Sequence, residues 1–124
     1  MKRKDIMKKW IILGAIFVGS LHAADNAKAL KKMFKKKGCV KCHNVDGMGK
    51  AKDGIVETYK GPRIAGLDAD YAVEQIKAIA SGERKTKTTK MMKAKAKKLS
   101  DEDIKKLADY AHSLGDKYKG MLEK

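Results

Sequence analysis

Cys39-Val40-Lys41-Cys42-His43 gathers both cysteines of a 124-residue chain, and one of its three histidines, into five positions. Two thiols two residues apart, followed at once by an imidazole, can serve four chemistries. They can close a disulfide, work as a redox dithiol, contribute to a zinc site or anchor a haem. A disulfide across a two-residue gap closes a very small loop and removes correspondingly little entropy from the unfolded chain. A thioredoxin-type dithiol belongs beside a βαβ pattern, and the sequence shows no convincing period-two strand. A structural zinc takes four ligands. Beyond the first two dozen residues the histidines and cysteines are Cys39, Cys42, His43 and a distant His112. The haem reading uses every residue of the group. Two cysteines add to the two vinyl groups of one porphyrin and the next imidazole lies beneath the iron, which is the logic of the C-x-x-C-H attachment signature.

The context favours that fourth reading. Residues 1–23 have the three-part layout of a secretory signal: a basic start, MKRKDIMKKW, an uncharged apolar run, IILGAIFVGSL, and the small residues of HAAD. The apolar run is about a dozen residues, shorter than the ~20 that span a bilayer. Cleavage is expected after Ala23, leaving one domain over 24–124 without an integral membrane span and placing it in the periplasm. The chain carries 30 basic and 15 acidic side chains, a net charge of +15. Removing the leader takes Lys2, Arg3, Lys4, Lys8, Lys9 and Asp5 and leaves the domain strongly basic. So small and charged a domain has little apolar surface to bury, and such domains are commonly completed by a staple or a cofactor.

The elements that must position the motif are helical. Ala27, Leu30, Met33 and Phe34 recur at helical spacing over 27–37, with lysines on the other face, Asp25 or Asn26 as cap and Gly38 as stop. A second helix is expected from about Asp70 to Ser81-Gly82, with Tyr71, Val73, Ile76, Ile79 and Ala80 as its buried stripe. A third starts at Ser100, a good N-cap, with Glu102 and Asp103 in the first turn, where negative charge suits the helix dipole. Its inner face is Ile104, Leu107, Ala108, Ala111 and Leu114, and Gly115 closes it. Two irregular stretches remain, roughly 44–69 and 82–98, the second holding at most a short helical turn near 94–98. Loops this long in a compact domain are usually functional or disordered.

With these parts in place, the chain resembles a class I c-type cytochrome over roughly residues 25–118. The resemblance rests on CVKCH, on GPRIAGL at 61–67 followed by YAVEQI at 71–76, and on MKAKAKKLSDEDIKKLADYAHSL at 92–114. It implies an all-α cytochrome c fold, with crossed N- and C-terminal helices and a middle helix packed around one covalent haem c. It implies Cys39 and Cys42 as thioether anchors and His43 as proximal iron ligand. The carbonyl of Pro62, the chain's one proline, would accept a hydrogen bond from the second ring nitrogen of His43, as ligand histidines require an orienting partner. The sixth ligand would be the thioether of Met92, seven residues before Leu99, with the adjacent Met91 one residue out of register. Arg63 and Tyr71 are candidates to reach the propionates. Phe34 and Tyr110 are expected to pack where the helices meet, and His112 to lie at the surface or as a satisfied core residue.

The function implied is that of a soluble monohaem electron carrier, with no substrate chemically transformed. The alternative is a haem enzyme or gas-sensing domain with an open sixth position. Lysines crowd two stretches, Lys31 to Lys41 and Lys85 to Lys98. If both flank one haem they would steer the protein onto redox partners with acidic docking surfaces. Nucleic acid is not expected as a partner, since no recognition motif is visible and aromatics for base stacking make up only 6% of the chain. Loose adsorption to anionic lipid headgroups is the other association that the charge allows.

Overall fold

The computed structural model describes residues 19–49, 61–86 and 88–118. Most of the expected leader, part of the first long loop, Lys87 and Met121 lie outside them. The elements are α1 (Gly19–Lys36), α2 (Val40–His43), α3 (Ala69–Ser81), α4 (Thr89–Ala96) and α5 (Asp101–Leu114), with a final 3₁₀ turn over Gly115–Tyr118. Among the described residues there is no strand. The fold is all-α, and its core lies where α1 and α3 each meet α5.

Helix α1 runs back to Gly19, so Asp25 and Asn26 lie inside it and do not cap it. Leu21, Ala23 and Ala24 are good helix formers, and nothing between Gly19 and Asp25 breaks the run. Its end falls where expected. Gly38 takes φ +81°, a left-handed conformation that glycine adopts without strain, and its N–H donates to Lys35 O at 3.0 Å. Lys35 and Lys36 occupy the last turn, where positive charge suits the dipole. The inner stripe packs on α5: Phe34, 2% exposed, is the core's largest fully buried side chain, with Leu30 and Met33 beside it.

Helix α5 opens with a full capping box. Ser100 Oγ accepts from Asp103 N at 3.1 Å, and the Asp103 carboxylate accepts from Ser100 N. Ile104, Leu107, Ala108, Ala111 and Leu114 are all buried as the spacing indicates, and Tyr110 joins them. The Phe34 and Tyr110 rings meet at 5.3 Å between centroids, tilted by 57°, a favourable aromatic arrangement. A Lys37 Nζ–Asp103 Oδ2 ion pair of 2.6 Å fastens the end of α1 to the start of α5.

Two expectations need correction. The cap of α3 is Asp68, whose carboxylate accepts from Tyr71 N at 2.9 Å. The buried positions of that helix are Ala72 and Ile79, while Tyr71 is exposed. Tyr71 is one residue, about 100° of helix, away from Ala72, so the stripe runs Ala72-Ile76-Ile79. The stretch 82–98 is also more ordered than its composition indicates, since α4 fills most of it and packs on α3. Its sequence, TKMMKAKA, has no broad apolar face, and only Ala96 is buried. Lysine, methionine and alanine favour helix through backbone propensity without showing periodicity.

The Lys37–Asp103 pair makes a testable contribution. The hydrogen bond from Lys37 holds the Asp103 carboxyl below its ordinary value, with the Ser100 backbone N–H helping. A carboxyl depressed in the folded state stabilises fully above its unfolded value, about 4, and less as pH falls through the lower folded value. Lys37→Met should therefore melt below the parent at neutral pH, with the gap closing in acid. Thermal melts of both proteins from pH 7 to pH 2 check this. A gap that stays constant would show that the pair contributes through packing alone.

Candidate functional site

The motif is built directly onto the end of α1. Cys39 N donates back to Phe34 O at 3.2 Å, and the next turn closes with Cys42 N and His43 N both donating to Cys39 O at 3.2 and 2.9 Å. Cys39, Cys42 and His43 thus stand at i, i+3 and i+4 of one helical turn, which places all three side chains on the same side. Both cysteines are unpaired thiols, half-buried. Burial pushes the Cys39 thiol up, against the opposing pull of Lys95 and Lys37, so it stays protonated at neutral pH.

His43 is buried and its Nδ1 donates to Pro62 O at 2.8 Å. A proton on Nδ1 leaves the lone pair of a neutral ring on Nε2. Burial pushes the imidazole pKa down, opposed only by the bond to Pro62, so the ring is neutral at pH 7 and able to ligate a metal.

The approach of Pro62 depends on a clasp of glycines. Directly after His43, Asn44 takes φ +61° and ψ 166°, a conformation costing on the order of 1–3 kcal/mol for a residue with a side chain. It is held there by Asn44 Nδ2 donating to Gly49 O at 2.6 Å, while Gly49 N donates to His43 O at 3.0 Å. Gly47 O then accepts from both Ile64 N, at 2.8 Å, and Ala65 N, at 3.0 Å, binding the 61–65 segment alongside the motif. Gly61 lies so close to α2 that a Cβ there would fall on the Cys42 carbonyl, and a Cβ on Gly49 would meet the backbone of 61–63.

The structure therefore brings together Cys39, Cys42, His43 and Pro62. Met92 comes from α4, where it is half-buried while Met91 is 68% exposed. Met92 shares its face at i+4 with Ala96, the buried residue of that helix. Lys95 of the same helix reaches back to Gly38, at the entrance to the motif. Arg63 Nε donates to Ala65 O at 3.3 Å. His112 is exposed, and its Nδ1 donates to Leu67 O at 2.8 Å. Gly47, Gly49 and Gly61 all fall in the first irregular stretch, and the sequence assigned them no part in the clasp. It gave no sign of the His112–Leu67 link.

The model of the cytochrome c family matches residues 27–115. A cytochrome c-553 of Helicobacter pylori is 39% identical over 111 residues, covering 87% of this chain and 99% of the relative. A cytochrome c-554(548) of Halomonas halodenitrificans is 40% identical over 75 residues, 60% of this chain and 82% of the relative. A thiosulfate dehydrogenase electron acceptor of Stutzerimonas stutzeri is 37% identical over 70 residues, 56% of this chain but 28% of that longer protein. The chain belongs to the cytochrome c family and is a haem electron-transfer protein with covalently attached haem c. Its own geometry fits that group: two unpaired thiols and a neutral imidazole share one side of a single helical turn, and the imidazole's other nitrogen is already committed.

Gly61→Ala tests the clasp. A methyl group forced against backbone that cannot yield costs roughly 1–3 kcal/mol, and for a domain of this size that lowers Tm by roughly 5–20 °C. The haem-loaded variant should melt in that range below the parent, and a smaller fraction of expressed chain should carry haem. An unchanged Tm would mean that the 61–65 segment is not held against α2.

Proposed function

We propose that the protein is an exported monohaem carrier of the periplasm, formed by cleavage after Ala23, that moves single electrons between protein partners and transforms no substrate. Cys39 and Cys42 would hold the haem through thioether bonds, His43 Nε2 and the Met92 thioether would ligate its iron, and Pro62 is the acceptor that orients His43. The observation carrying this reading is the buried His43 Nδ1–Pro62 O bond, which fixes the tautomer a ligand needs on the same turn as both thiols. When bound, the haem supplies the one-electron iron couple. The chain's own work is to hold the imidazole neutral and aligned, to supply a thioether, whose pairing with histidine raises the potential, and to present a surface for docking.

That surface is the lysine-rich one. The segments 26–45 and 84–100 contain no acidic residue. Lys31, Lys32, Lys35, Lys36, Lys41, Lys90, Lys95, Lys97 and Lys98 are exposed there. Positive charge concentrated on α1, α2 and α4 suits partners with acidic docking surfaces and contacts small enough to release quickly. The same charge allows loose adsorption to anionic lipid headgroups.

Met92→Ala should abolish the long-wavelength Met–iron absorption of the ferric protein, lower the midpoint potential and open the ferrous form to carbon monoxide. Met91→Ala should leave all three unchanged. The reverse result moves the ligand to Met91, and a parent that already binds carbon monoxide readily makes the protein a haem enzyme or sensor. Reduction by an acidic redox protein should slow roughly tenfold or more as salt is raised, because the screening length falls from about 10 Å at 0.1 M to 3 Å at 1 M. Stopped-flow rates that do not depend on salt would remove the docking argument.

A further inference from the structure

The segment that delivers Pro62 to His43 is fastened at its other end to α5. Gly66 N donates to Ala111 O at 3.0 Å, and one residue on Leu67 O accepts from His112 Nδ1 at 2.8 Å. Gly66 and Gly115 are in such close backbone contact that a Cβ on Gly115 would fall on Gly66 Cα. Leu67 N closes the turn onto Ile64 O at 3.2 Å, and Ile64 N is bound in turn to Gly47 O. A continuous hydrogen-bonded path thus runs from α5 through 67, 64 and 47 to the loop that leaves His43. The bonds of Ile64 N and Ala65 N to Gly47 O tie the segment to the motif side, and Gly66 N alone would tie it to α5 at one point, which leaves its tilt against α5 unset. The second bond, from His112, fixes its orientation, and the direction of the Pro62 carbonyl follows from that orientation because this carbonyl lies in one rigid peptide plane with the N of Arg63.

We propose that His112 is a positioning residue for the iron site: by holding Leu67 O it sets the angle at which Pro62 O receives the His43 proton. This rests on the reading of His43 as an iron ligand. His112 touches neither the haem nor its ligands and acts through five residues of backbone. A well-aligned acceptor makes the imidazole more basic, and a more basic ligand favours ferric iron. Loosening the segment therefore raises the midpoint potential.

The test compares His112→Ala with His112→Asn in the haem-loaded protein. Asparagine Nδ2 stands where histidine Nδ1 does, so this variant keeps the donor to Leu67 O and removes the ring. The readouts are the midpoint potential and the hyperfine-shifted proton resonances of the ferric form, which report the orientation of the axial imidazole. His112→Ala should shift the potential upward and displace those resonances, and His112→Asn should bring both back toward the parent. If His112→Ala keeps the parental potential and resonances, whatever its Tm, the proposal is overturned. It is also overturned if His112→Asn is no closer to the parent than His112→Ala. Resonances of a coordinated imidazole assigned to His43 in the parent separate the two claims. Their absence defeats the ligand assignment itself, whereas their presence beside an unmoved His112→Ala defeats only the role given to His112.

Discussion

One hydrogen bond, from His43 Nδ1 to the carbonyl of Pro62, sets the terms for everything around it. A buried imidazole carries one donor that must be satisfied, and leaving it unmade costs about 1–3 kcal/mol. The acceptor here is a main-chain oxygen, so no side chain can be chosen to supply it. The backbone itself has to be brought against α2 and held there. Three glycines meet this demand. Gly61 lets the segment touch the Cys42 carbonyl, Gly49 lets the outgoing loop lie on 61–63, and Gly47 turns so that its carbonyl receives two N–H groups. Proline then contributes a rigid φ.

The same turn inherits its position from the helix crossing. Cys39 N is bonded to Phe34 O, and Phe34 is the fully buried residue that stacks on Tyr110. The motif therefore begins five residues after the best-packed point of the core, and the stretch between them holds the αL glycine Gly38 and the Lys37–Asp103 pair. Ala65, on the segment that presents Pro62, belongs to the same buried cluster as Phe34, Tyr110 and Leu114. The two strands of chain that meet at His43 are thus referenced to one helix, α5. A shift of α5 against α1 would move both together, which preserves their mutual geometry better than two independent anchors would.

What the sequence disclosed follows from what periodicity and side-chain chemistry can report. The C-x-x-C-H group, the buried stripe of α5 and the Ser100 cap are local patterns whose meaning lies within a few residues, and each was readable. The start of α3 was readable to within a residue, whereas its cap was not assigned, because Asp68 and Asp70 offer equivalent side chains within three positions. Helix α4 was hidden because lysines spread around it erase the apolar stripe, and the buried contact it does make comes from a single alanine. That alanine stands at i+4 from Met92, which is half-buried where the adjacent Met91 is exposed. The glycine clasp and the His112–Leu67 bond were not legible for a different reason. They join side chains or bare Cα positions to carbonyls up to 45 residues away, and a carbonyl leaves no mark in a sequence.

The distribution of charge follows from the same division of labour. Several acidic residues are occupied by the fold. Asp68 caps α3, Asp103 closes the capping box and holds Lys37, Glu102 pairs with Lys106 at i+4, and Asp101 lies 3.4 Å from Lys77. Each sits at or near a helix N-terminus, where negative charge is favoured by the dipole. The ion pairs of Asp103, Asp101 and Glu102 draw on Lys37, Lys77 and Lys106, none of them among the exposed lysines of α1 and α4. Exposed ion pairs stabilise by no more than about 1 kcal/mol, so the fold gains little from further acids on those helices and would lose their uniform sign. On the docking reading proposed above, local stability and long-range steering fall to different residues. A change of charge on α4 would then alter how fast a partner arrives while leaving the packing around His43 as it is.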